Sequence, residues 1–403
     1  MTLIYLLFAC GFGLYAWQEF KQAILLLIVL LPTYLLRFDV FGVPTTVLEL
    51  LLLVVIGIGI VRYKFYQPKH YVHLKPVFLP VALLLLAATI GLFVSPNLFS
   101  ALGVYKAYFI EPTVFGLLLF VLLSHKHLSP NELMKALGAS AVLVSAIGII
   151  QWFIPSGIPI PWDFERRITS VFDFPNAVGL YLAPIVTLAW IHLKQDRRWL
   201  IVSVLGTIAI VLAQSEAAIV AVVASIFLFL LIQKQTRKTT FLVGIALTVF
   251  VSLSPWRDTV VQKLTLQDYS GQVRVSQWNE TWDMLQDRPF FGAGLSGYTQ
   301  TLAPYHQAKQ YEIFQYPHNL FLNTWTELGL LGLMGFLLLC TTVLQRFLST
   351  LTDNRTILFS FFPLLTMFIH GLVDVPFFKN DLSVLTVIFL ILFLYDTQTK
   401  QTN

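Results

Sequence analysis

Apolar runs of roughly twenty residues recur along the whole chain, and they constrain its fold more than any other feature. A run of this length crosses the ~30 Å hydrocarbon core of a bilayer as an α-helix. Helices are expected because lipid offers no partner to an exposed backbone N–H or C=O group. A membrane β-barrel would instead show segments of about ten residues with alternating polarity. The sequence therefore predicts an all-α, polytopic helical membrane bundle.

The chain divides into about thirteen such segments, so roughly twelve or thirteen transmembrane helices are expected. They cover residues 3–17, 22–36, 44–61, 76–95, 100–123, 132–154, 176–192, 199–213, 217–233, 240–254, 319–344, 356–372 and 382–396. Charged residues make up only 12% of the sequence, against roughly 25% in an ordinary soluble domain. Residues 1–403 are therefore interpreted as a single integral membrane domain. Whether the short segment 3–17 spans the membrane is left open.

Basic residues concentrate in alternate short loops, and this bias predicts the orientation of the bundle. The basic set comprises Arg62, Lys64, Lys69, Lys75, Lys126, Lys135, Lys194, Arg197, Arg198, Lys234, Arg237, Lys238, Arg346 and Arg355. We assign these loops and the C-terminus to the cytoplasm. The opposite short connections, at 96–99, 214–216 and 373–381, contain one basic residue, Lys379.

Two longer connections, 155–175 and 255–317, fall on the extracytoplasmic side in this scheme. The second contains apolar residues at helical spacing, which predicts an amphipathic helix that Pro289 ends. These residues are Val275, Trp278, Trp282 and Leu285, and they follow Gly271. Two tryptophans on one face suit a helix lying at the membrane–water boundary. The glycine-rich stretch 290–298 is predicted to turn the chain back to the bilayer.

His318 stands immediately before the helix that re-enters the membrane. A neutral imidazole at a water–lipid boundary could accept a proton from a hydroxyl near neutral pH. A structural or helix-capping histidine is the alternative interpretation, and Asn319 could serve only as an N-cap.

Arginines on both extracytoplasmic connections are candidate anion ligands: Arg166 and Arg167 on the first, and Arg274 on the second. A guanidinium group grips phosphate through fixed, bidentate hydrogen bonds and stays charged at any working pH. Arginines converging from two loops would suit a lipid-linked pyrophosphate at headgroup depth. Ordinary contact with lipid headgroups is the alternative.

Several ionisable residues lie inside or near apolar segments, where they are costly and usually face a partner or a wet cavity. They are Lys106, Glu111, Glu216, Glu327, His370 and Asp374. Lys106 and Glu111 could neutralise each other, and His370 and Asp374, four residues apart, could hydrogen-bond on one helix face. The same residues would fit a proton or ion pathway, which keeps a transporter of a small anion or a lipid-linked sugar as an alternative.

Signatures of common soluble enzymes are absent from the sequence. It contains no His-Glu-x-x-His zinc motif, no phosphate-binding loop ending in Gly-Lys-Ser or Gly-Lys-Thr, and no Gly-x-Ser-x-Gly elbow. The glycines at 292, 294 and 297 follow a predicted surface helix rather than a strand, so a dinucleotide site is excluded. No metal, cofactor or nucleic-acid partner is expected.

The order of these motifs resembles the O-antigen ligase and polymerase superfamily of bacterial envelope proteins. The resemblance rests on residues 317–322, on 327–333, on the preceding 289–294, and on Arg274 with Trp278. Residues 167–172, leading into Pro175 and Asn176, and the stretch 370–374 also fit, so the similar region covers about 160–390. The resemblance implies roughly twelve helices with a large extracytoplasmic loop, in the bacterial inner membrane.

The resemblance also implies the reaction. A glycan would be transferred from an undecaprenyl-pyrophosphate donor to a glycan, lipid or protein acceptor, in lipopolysaccharide or other envelope polysaccharide biosynthesis. The enzyme would use no metal and would invert the anomeric centre. Carried over by position, Arg274 and Arg167 (or its neighbour Arg166) would hold the pyrophosphate, and His318 would activate the acceptor hydroxyl. Ligase and polymerase are not distinguished, and a non-catalytic scaffold for envelope assembly is a third possibility.

Overall fold

The computed structural model describes residues 2–40, 42–65, 67, 71, 74–154, 157–352 and 359–401. Helices account for 75% of the structure, and the described residues hold one small sheet of two strands. The all-α polytopic bundle predicted from the apolar runs is confirmed. Lys69 and Arg355 of the basic loops, and Pro155 at the start of the first long connection, lie outside the described residues.

The N-terminal part of the chain is a series of apolar helices. They are α1 (Thr2–Gln18), α2 (Phe20–Val29), α3 (Val47–Tyr63), α4 (Lys75–Val94), α5 (Leu98–Val104), α6 (Glu111–Ser124) and α7 (Pro130–Phe153). A π-helical stretch, Tyr105–Ile110, joins α5 to α6, so that Leu98–Ser124 is one continuous helix.

The C-terminal part holds four apolar helices, the polar helices of the long connection, and three helices that complete the bundle. They are α8 (Pro175–His192), α9 (Trp199–Leu212), α10 (Glu216–Ile232), α11 (Arg237–Leu253), α12 (Arg257–Leu264), α13 (Tyr269–Asp287), α14 (Tyr298–Leu302), α15 (Leu320–Thr352), α16 (Phe361–His370) and α17 (Asn380–Gln401).

Within the described ranges, five helical stretches are long and apolar enough to cross a membrane. They are Lys75–Val94, Leu98–Ser124, Pro130–Phe153, Leu320–Ser349 and Asn380–Thr397. The bent pair Arg237–Leu253 and Arg257–Asp287, with an angle of 109° between its parts, would add a sixth. Other apolar helices, such as α9 and α10, are shorter than the ~20 residues of a simple span. The number of twelve or thirteen spans therefore stays a prediction.

A short antiparallel hairpin stands where the segment 44–61 was predicted to begin as a helix. Strand β1 (Arg37–Val40) pairs with β2 (Val43–Thr46), and α3 starts only at Val47. The β-branched residues of β2 favour the extended conformation, and Thr46 caps α3 by accepting the Glu49 N–H at 3.3 Å. The predicted start of this helix was wrong by three residues for that reason.

Contacts gather the connections predicted as extracytoplasmic at one end of the bundle, called here the loop end. The Gln214 side chain, in the turn between α9 and α10, donates to the Glu165 carbonyl of the first long connection at 3.2 Å. The Leu320 N–H, at the end of the second long connection, donates to the Gly371 carbonyl at 2.8 Å. Helix α1 runs between the two ends, because Tyr5 contacts Phe38 of β1, with ring centroids 5.5 Å apart, and Trp17 lies under the Arg62 guanidinium.

Helix α13 is the helix predicted in the second long connection, and it ends at Asp287, ahead of Pro289. The face that α13 buries against protein shares only Leu285 with the face predicted to lie at the membrane–water boundary, and that prediction stays a prediction. Val275 and Trp282 are exposed, whereas the buried residues include polar ones: Gly271, Val273, Gln277, Glu280, Thr281, Met284 and Leu285. The reason is that this face packs against the rest of the same connection, which supplies hydrogen-bond partners for its polar groups.

Two contacts show this packing directly. The Thr281 hydroxyl lies 2.8 Å from the Tyr298 hydroxyl, and the Glu280 carboxylate lies 3.0 Å from His306 Nδ1. The same carboxylate accepts the N–H groups of Gln307 and Ala308, each at 3.0 Å. The long connection is therefore a packed unit with its own small core, which forms part of the loop end.

Candidate active site

His318 lies at the loop end, in the last residues before α15. Its Nδ1 is 3.2 Å from the Asp374 carboxylate, and its ring packs against those of Phe314 and Tyr316. The backbone of His318 is left-handed, with φ of 47°, a conformation that non-glycine residues adopt at a cost. Because Asp374 fixes one ring nitrogen, the other ring nitrogen is oriented away from the carboxylate.

The predicted hydrogen bond between His370 and Asp374 is wrong. Helix α16 ends at His370, so Asp374 lies in the turn beyond it and not on the same helix face. Burial acts to raise the pKa of Asp374, but the neighbouring His318 outweighs this effect and holds that pKa well below its usual range. Asp374 is therefore an ionised partner for His318. His370 lies close by, and its Nε2 has no hydrogen-bond partner among the described residues.

Arg274 lies on α13, half-buried and within electrostatic range of His370. In the part of the chain that the structure describes, its guanidinium forms no hydrogen bond and no ion pair. One turn further along α13, the Trp278 indole N–H donates to the Pro317 carbonyl at 2.7 Å. That bond ties α13 to the residue before His318, so the arginine and the histidine are held on the same side of the loop end.

Asn319 has the N-cap role that the sequence suggested, and a second role that it did not. Its side-chain oxygen accepts the N–H groups of Phe321 and Leu322, at 3.0 and 3.1 Å. Its amide N–H donates to the Leu372 carbonyl at 2.9 Å. Asn319 therefore ties the start of α15 to the turn that carries Asp374 and positions His318 between them.

The glycine-rich turn docks into a break in α15 at Gly329, whose φ is 67°. The Leu330 N–H donates to the Phe290 carbonyl at 3.0 Å, and the Ala293 N–H donates to the Thr326 carbonyl at 2.8 Å. A Cβ at Gly329 would lie 2.2 Å from the Phe290 oxygen, so only glycine permits this approach.

Glu327 is held by the same turn. The Ser296 N–H donates to its carboxylate at 2.7 Å, and the side chain is buried. Glu327 faces a cavity of about 580 Å³ at the loop end, called here the polar cavity. Asn323, one turn earlier on α15, faces the same cavity, as does Tyr316, which packs against His318.

A second cavity, of about 560 Å³, lies between α4 and α15 on one side and α16 and α17 on the other; it is called here the apolar cavity. Leucine and phenylalanine side chains dominate its lining, among them Leu320, Leu328 and Phe377. It begins two residues after His318 and continues into the bundle. Tyr108 and Phe378 line both cavities, so the two are neighbours.

Arg167 and Arg166 occupy different environments. The Arg167 guanidinium donates to the Asn176 side chain and to the Ala213 carbonyl, each at 3.1 Å, and lies over the Trp162 ring. Arg166 lies over Trp152, with its guanidinium 4.6 Å from the ring centroid. Arg167 thus stands between the ends of α8 and α9 at the loop end. Among the described residues, no hydrogen bond, ion pair or ring contact joins it to Arg274 or His318.

The predicted neutralisation of Lys106 by Glu111 is wrong in part, because Lys106 forms an ion pair with Glu49 on α3. Asn380 supports Glu49 by donating to its carboxylate at 3.0 Å. One oxygen of Glu111 has no partner in the described part of the chain. The ionisable residues that motivated the transporter alternative therefore fall into separate groups, since Asp374 pairs with His318.

Sequence reasoning missed Glu49, Asn323 and Asn380. A signal for Asn323 is present in the sequence, because Asn319, Asn323 and Glu327 follow one another at steps of four residues on one helix face. Glu49 also carried a signal, because it is an acidic residue inside the apolar segment 44–61. Its contact with Asn380 was not predictable, since the two residues are far apart in the chain.

Residues 201–337 match the family model described as O-antigen ligase, Wzy_C. The resemblance to the O-antigen ligase family is confirmed. The matched segment contains Arg274, His318 and Glu327, whereas Arg167, His370 and Asp374 lie outside it. A search of curated proteins finds no match. The O-antigen ligase match supports a membrane protein with a glycosyltransferase-type role in the transfer of lipid-linked glycans.

Proposed function

We propose that the protein transfers a glycan from an undecaprenyl-pyrophosphate donor to an acceptor hydroxyl, with His318 as the general base. The observation that carries this proposal is the 3.2 Å contact between His318 Nδ1 and the ionised Asp374 carboxylate. A carboxylate on one ring nitrogen fixes the tautomer in which the other nitrogen can accept a proton. The same arrangement favours the imidazolium that forms when the proton arrives.

The step is a single displacement at the anomeric carbon. The acceptor oxygen forms a bond to that carbon as the bond to the pyrophosphate oxygen breaks, and the hydroxyl proton passes to His318 Nε2. The lipid pyrophosphate leaves with the bonding electron pair, and His318 later returns the proton to water. Attack opposite the leaving group inverts the anomeric centre, and the step needs no metal or cofactor.

Arg274 and Arg167 are proposed to hold the pyrophosphate and to stabilise the negative charge that develops on it. Arg274 suits this role because its half-buried guanidinium has no ion-pair partner in the described chain. Arg167 already donates to Asn176 and Ala213 and forms an ion pair with Glu165 at 3.4 Å, so it would bind through its remaining N–H groups. Arg166, stacked on Trp152, is the less suitable of the adjacent pair.

The apolar cavity supports a lipid-linked donor. Its leucine- and phenylalanine-rich lining begins at Leu320, two residues after His318. A prenyl chain held there would leave its pyrophosphate near the loop end, because the lipid tail favours apolar surroundings and the phosphates do not. We place the protein in the bacterial inner membrane, with the loop end extracytoplasmic and the C-terminus cytoplasmic.

Transfer by the purified protein tests the assignment of the base and of the pyrophosphate ligand. In a bilayer mimetic with lipid-linked glycan and acceptor, His318→Ala should lower the turnover rate by roughly 10²- to 10⁴-fold. Arg274→Ala should lower it by a similar factor. His127→Gln, at the opposite end of the bundle, is the control and should transfer normally. Wild-type turnover in the His318 and Arg274 variants would contradict the assignment.

Glycolipids from cells that lack the protein distinguish the two members of the superfamily. Mass spectrometry should find accumulated long, untransferred chains if the protein is a ligase acting on a lipid or protein acceptor. Accumulated single repeat units would instead indicate a polymerase. A normal glycolipid profile would contradict both, and uptake assays on the same cells would then test the transporter alternative.

A further inference from the structure

The polar cavity contains a buried amide with no hydrogen-bond partner. Asn323 is 1% exposed, and neither its Oδ1 nor its Nδ2 has a partner among the described residues. Leaving a buried polar group unsatisfied costs about 1–3 kcal/mol, so native structures rarely retain one without a reason. Asn323 lines the polar cavity directly. The wall of the cavity therefore holds a buried amide donor and a buried amide acceptor that have no partner among the described residues.

A second buried amide in the cavity wall has the same property. Asn380 is 3% exposed, and its Nδ2 donates to Glu49 and Thr46, while its Oδ1 has no partner in the described chain. Asn380 comes from the start of α17, whereas Asn323 comes from α15. The cavity wall thus holds one amide donor without a partner, on α15, and amide acceptors without a partner on both α15 and α17, among the described residues.

The charges of the wall exclude a simple anion site. Arg37 and Lys379 contribute positive charge, but Asp173 and Glu327 line the same cavity and oppose it, while Glu49 is paired with Lys106. An anion would meet at least as many carboxylates as cations there. A neutral, hydrogen-bonding ligand avoids this repulsion.

Aromatic rings complete the wall. Tyr34, Tyr108 and Tyr316 line the cavity, together with Phe174 and Phe378. A flat apolar ring beside amide groups suits a sugar, which presents C–H groups on its faces and hydroxyls at its edges. Because Tyr316 packs against His318, with ring centroids 4.8 Å apart, a sugar in this cavity would lie beside the proposed base.

We infer that the polar cavity is a carbohydrate-binding site, with Asn323 as its principal hydrogen-bonding residue. The inference rests on the proposed function for its biological setting, but binding can be measured without transfer. The sugar belongs either to the acceptor or to the pyrophosphate-linked end of the donor glycan. Both present the same hydroxyl chemistry, and the experiment distinguishes them.

The binding experiment uses three probes on the full-length protein. They are glycan released by mild acid from the lipid-linked pool of the source strain, glycan released from its surface glycolipids, and inorganic pyrophosphate. At least one of the two glycans should raise the thermal unfolding temperature of the unaltered protein. Asn323→Leu should weaken that glycan's binding about tenfold, the effect expected of one or two lost hydrogen bonds.

Matched variants separate binding from folding. Thr326→Val is the control. It removes a buried hydroxyl that also has no partner among the described residues, on the same helix but outside the cavity lining, and it should bind the glycan normally. Asn323→Leu should retain the binding of pyrophosphate, which Arg274→Ala should weaken. If Asn323→Leu does not fold, Thr299→Trp fills the cavity from its exposed rim and should give the same loss.

The outcomes separate the two sources and the two proposals. Loss confined to the surface-glycolipid glycan assigns the cavity to the acceptor, and loss confined to the lipid-linked glycan assigns it to the donor. Unchanged glycan affinity in both Asn323→Leu and Thr299→Trp overturns the inference, as does the absence of glycan binding by the unaltered protein. Normal glycan binding without any transfer would contradict the proposed function and leave the carbohydrate site intact.

Discussion

Two cavities of nearly equal volume, about 580 and 560 Å³, meet at Tyr108 and Phe378 but have opposite linings. The polar cavity is bounded by the loop end and contains amides, carboxylates and cations. The apolar cavity is lined by leucines and phenylalanines between α4–α15 and α16–α17. A molecule with a polar head and an apolar tail matches this division better than a purely polar or purely apolar one does.

Helix α15 contributes to both cavities, but only its segment before the break at Gly329 reaches the polar one. The outer segment supplies Asn323 and Glu327 to the polar cavity, whereas the inner segment lines only the apolar one. The break also admits the glycine-rich turn, whose Ser296 N–H satisfies Glu327. The difference teaches that a single membrane helix can serve two chemistries when another segment interrupts it and satisfies its polar groups.

The substitution with the largest expected effect at the loop end is Asp374→Asn. An amide cannot stabilise the imidazolium of His318 as a carboxylate does, so transfer should fall by roughly 10²- to 10⁴-fold. Turnover of the purified variant measures this, and the Asp196→Asn variant, on an exposed turn, is the control. Equal turnover of the Asp374 variant and the unaltered protein would remove Asp374 from the site.

The second test removes the conformation that separates the two segments of α15. Gly329→Ala forces a Cβ against the Phe290 carbonyl at positive φ and should destabilise the protein by roughly 1–3 kcal/mol. Thermal unfolding in detergent measures the change. Gly57→Ala is the matched control, because a Cβ there meets no atom within 4 Å and alanine favours a helix interior by roughly 0.5–1 kcal/mol. The two substitutions should change the free energy of unfolding in opposite directions. Destabilisation by both would show that the backbone conformation at Gly329 does not cause the effect.

The third test addresses the apolar side. Leu337→Trp enlarges a side chain that lines the apolar cavity and should weaken donor binding about tenfold through overpacking. Met334→Trp places the same ring one turn earlier on α15, on an exposed position outside the lining, and should behave like the unaltered protein. The dependence of initial rate on donor concentration measures the effect. Equal Michaelis constants for both variants would argue against a lipid tail in this cavity.

The smallest expected effect is a pH dependence of local stability, confined to the long connection at the loop end. Burial acts to raise the pKa of Glu280, but the Ala308 N–H, His306 and the Gln307 N–H outweigh it and lower that pKa. Because the folded-state pKa lies below the unfolded one, this stabilisation is present above about pH 4.3 and is lost as the pH falls through the lowered value. The protection factors of amides in residues 269–312, calculated against the intrinsic exchange rate at each pH, should therefore fall on acidification.

Two comparisons sharpen that measurement. Glu280→Gln should remove most of the pH dependence of the protection factors in the long connection. No carboxylate lines the apolar cavity, so exchange in the described helices around it should respond much less. An equal loss of protection in the long connection and around the apolar cavity would contradict protonation of Glu280 as the cause.

The candidate site was predictable where the type of a residue and its position in the chain were sufficient to indicate its chemistry. His318 is a candidate because an imidazole can accept a proton near neutral pH, and Arg274 because a guanidinium group binds phosphate; the O-antigen ligase match covers both. Their roles stay predictions. The partner of His318 was not predictable, since the four-residue spacing of His370 and Asp374 suggested a helix that in fact ends at His370.

The sequence alone determined the class of the molecule, because apolar runs of membrane length leave a helical bundle as the economical way to satisfy the backbone in lipid. It also located the long connection, the helix within it and the glycine-rich turn. The tertiary structure decided which face of α13 is buried, that Lys106 pairs with Glu49, and that Asn323 faces a polar cavity. These features depend on contacts between segments distant in the chain, and periodicity within one segment carries no information about what a neighbouring segment supplies.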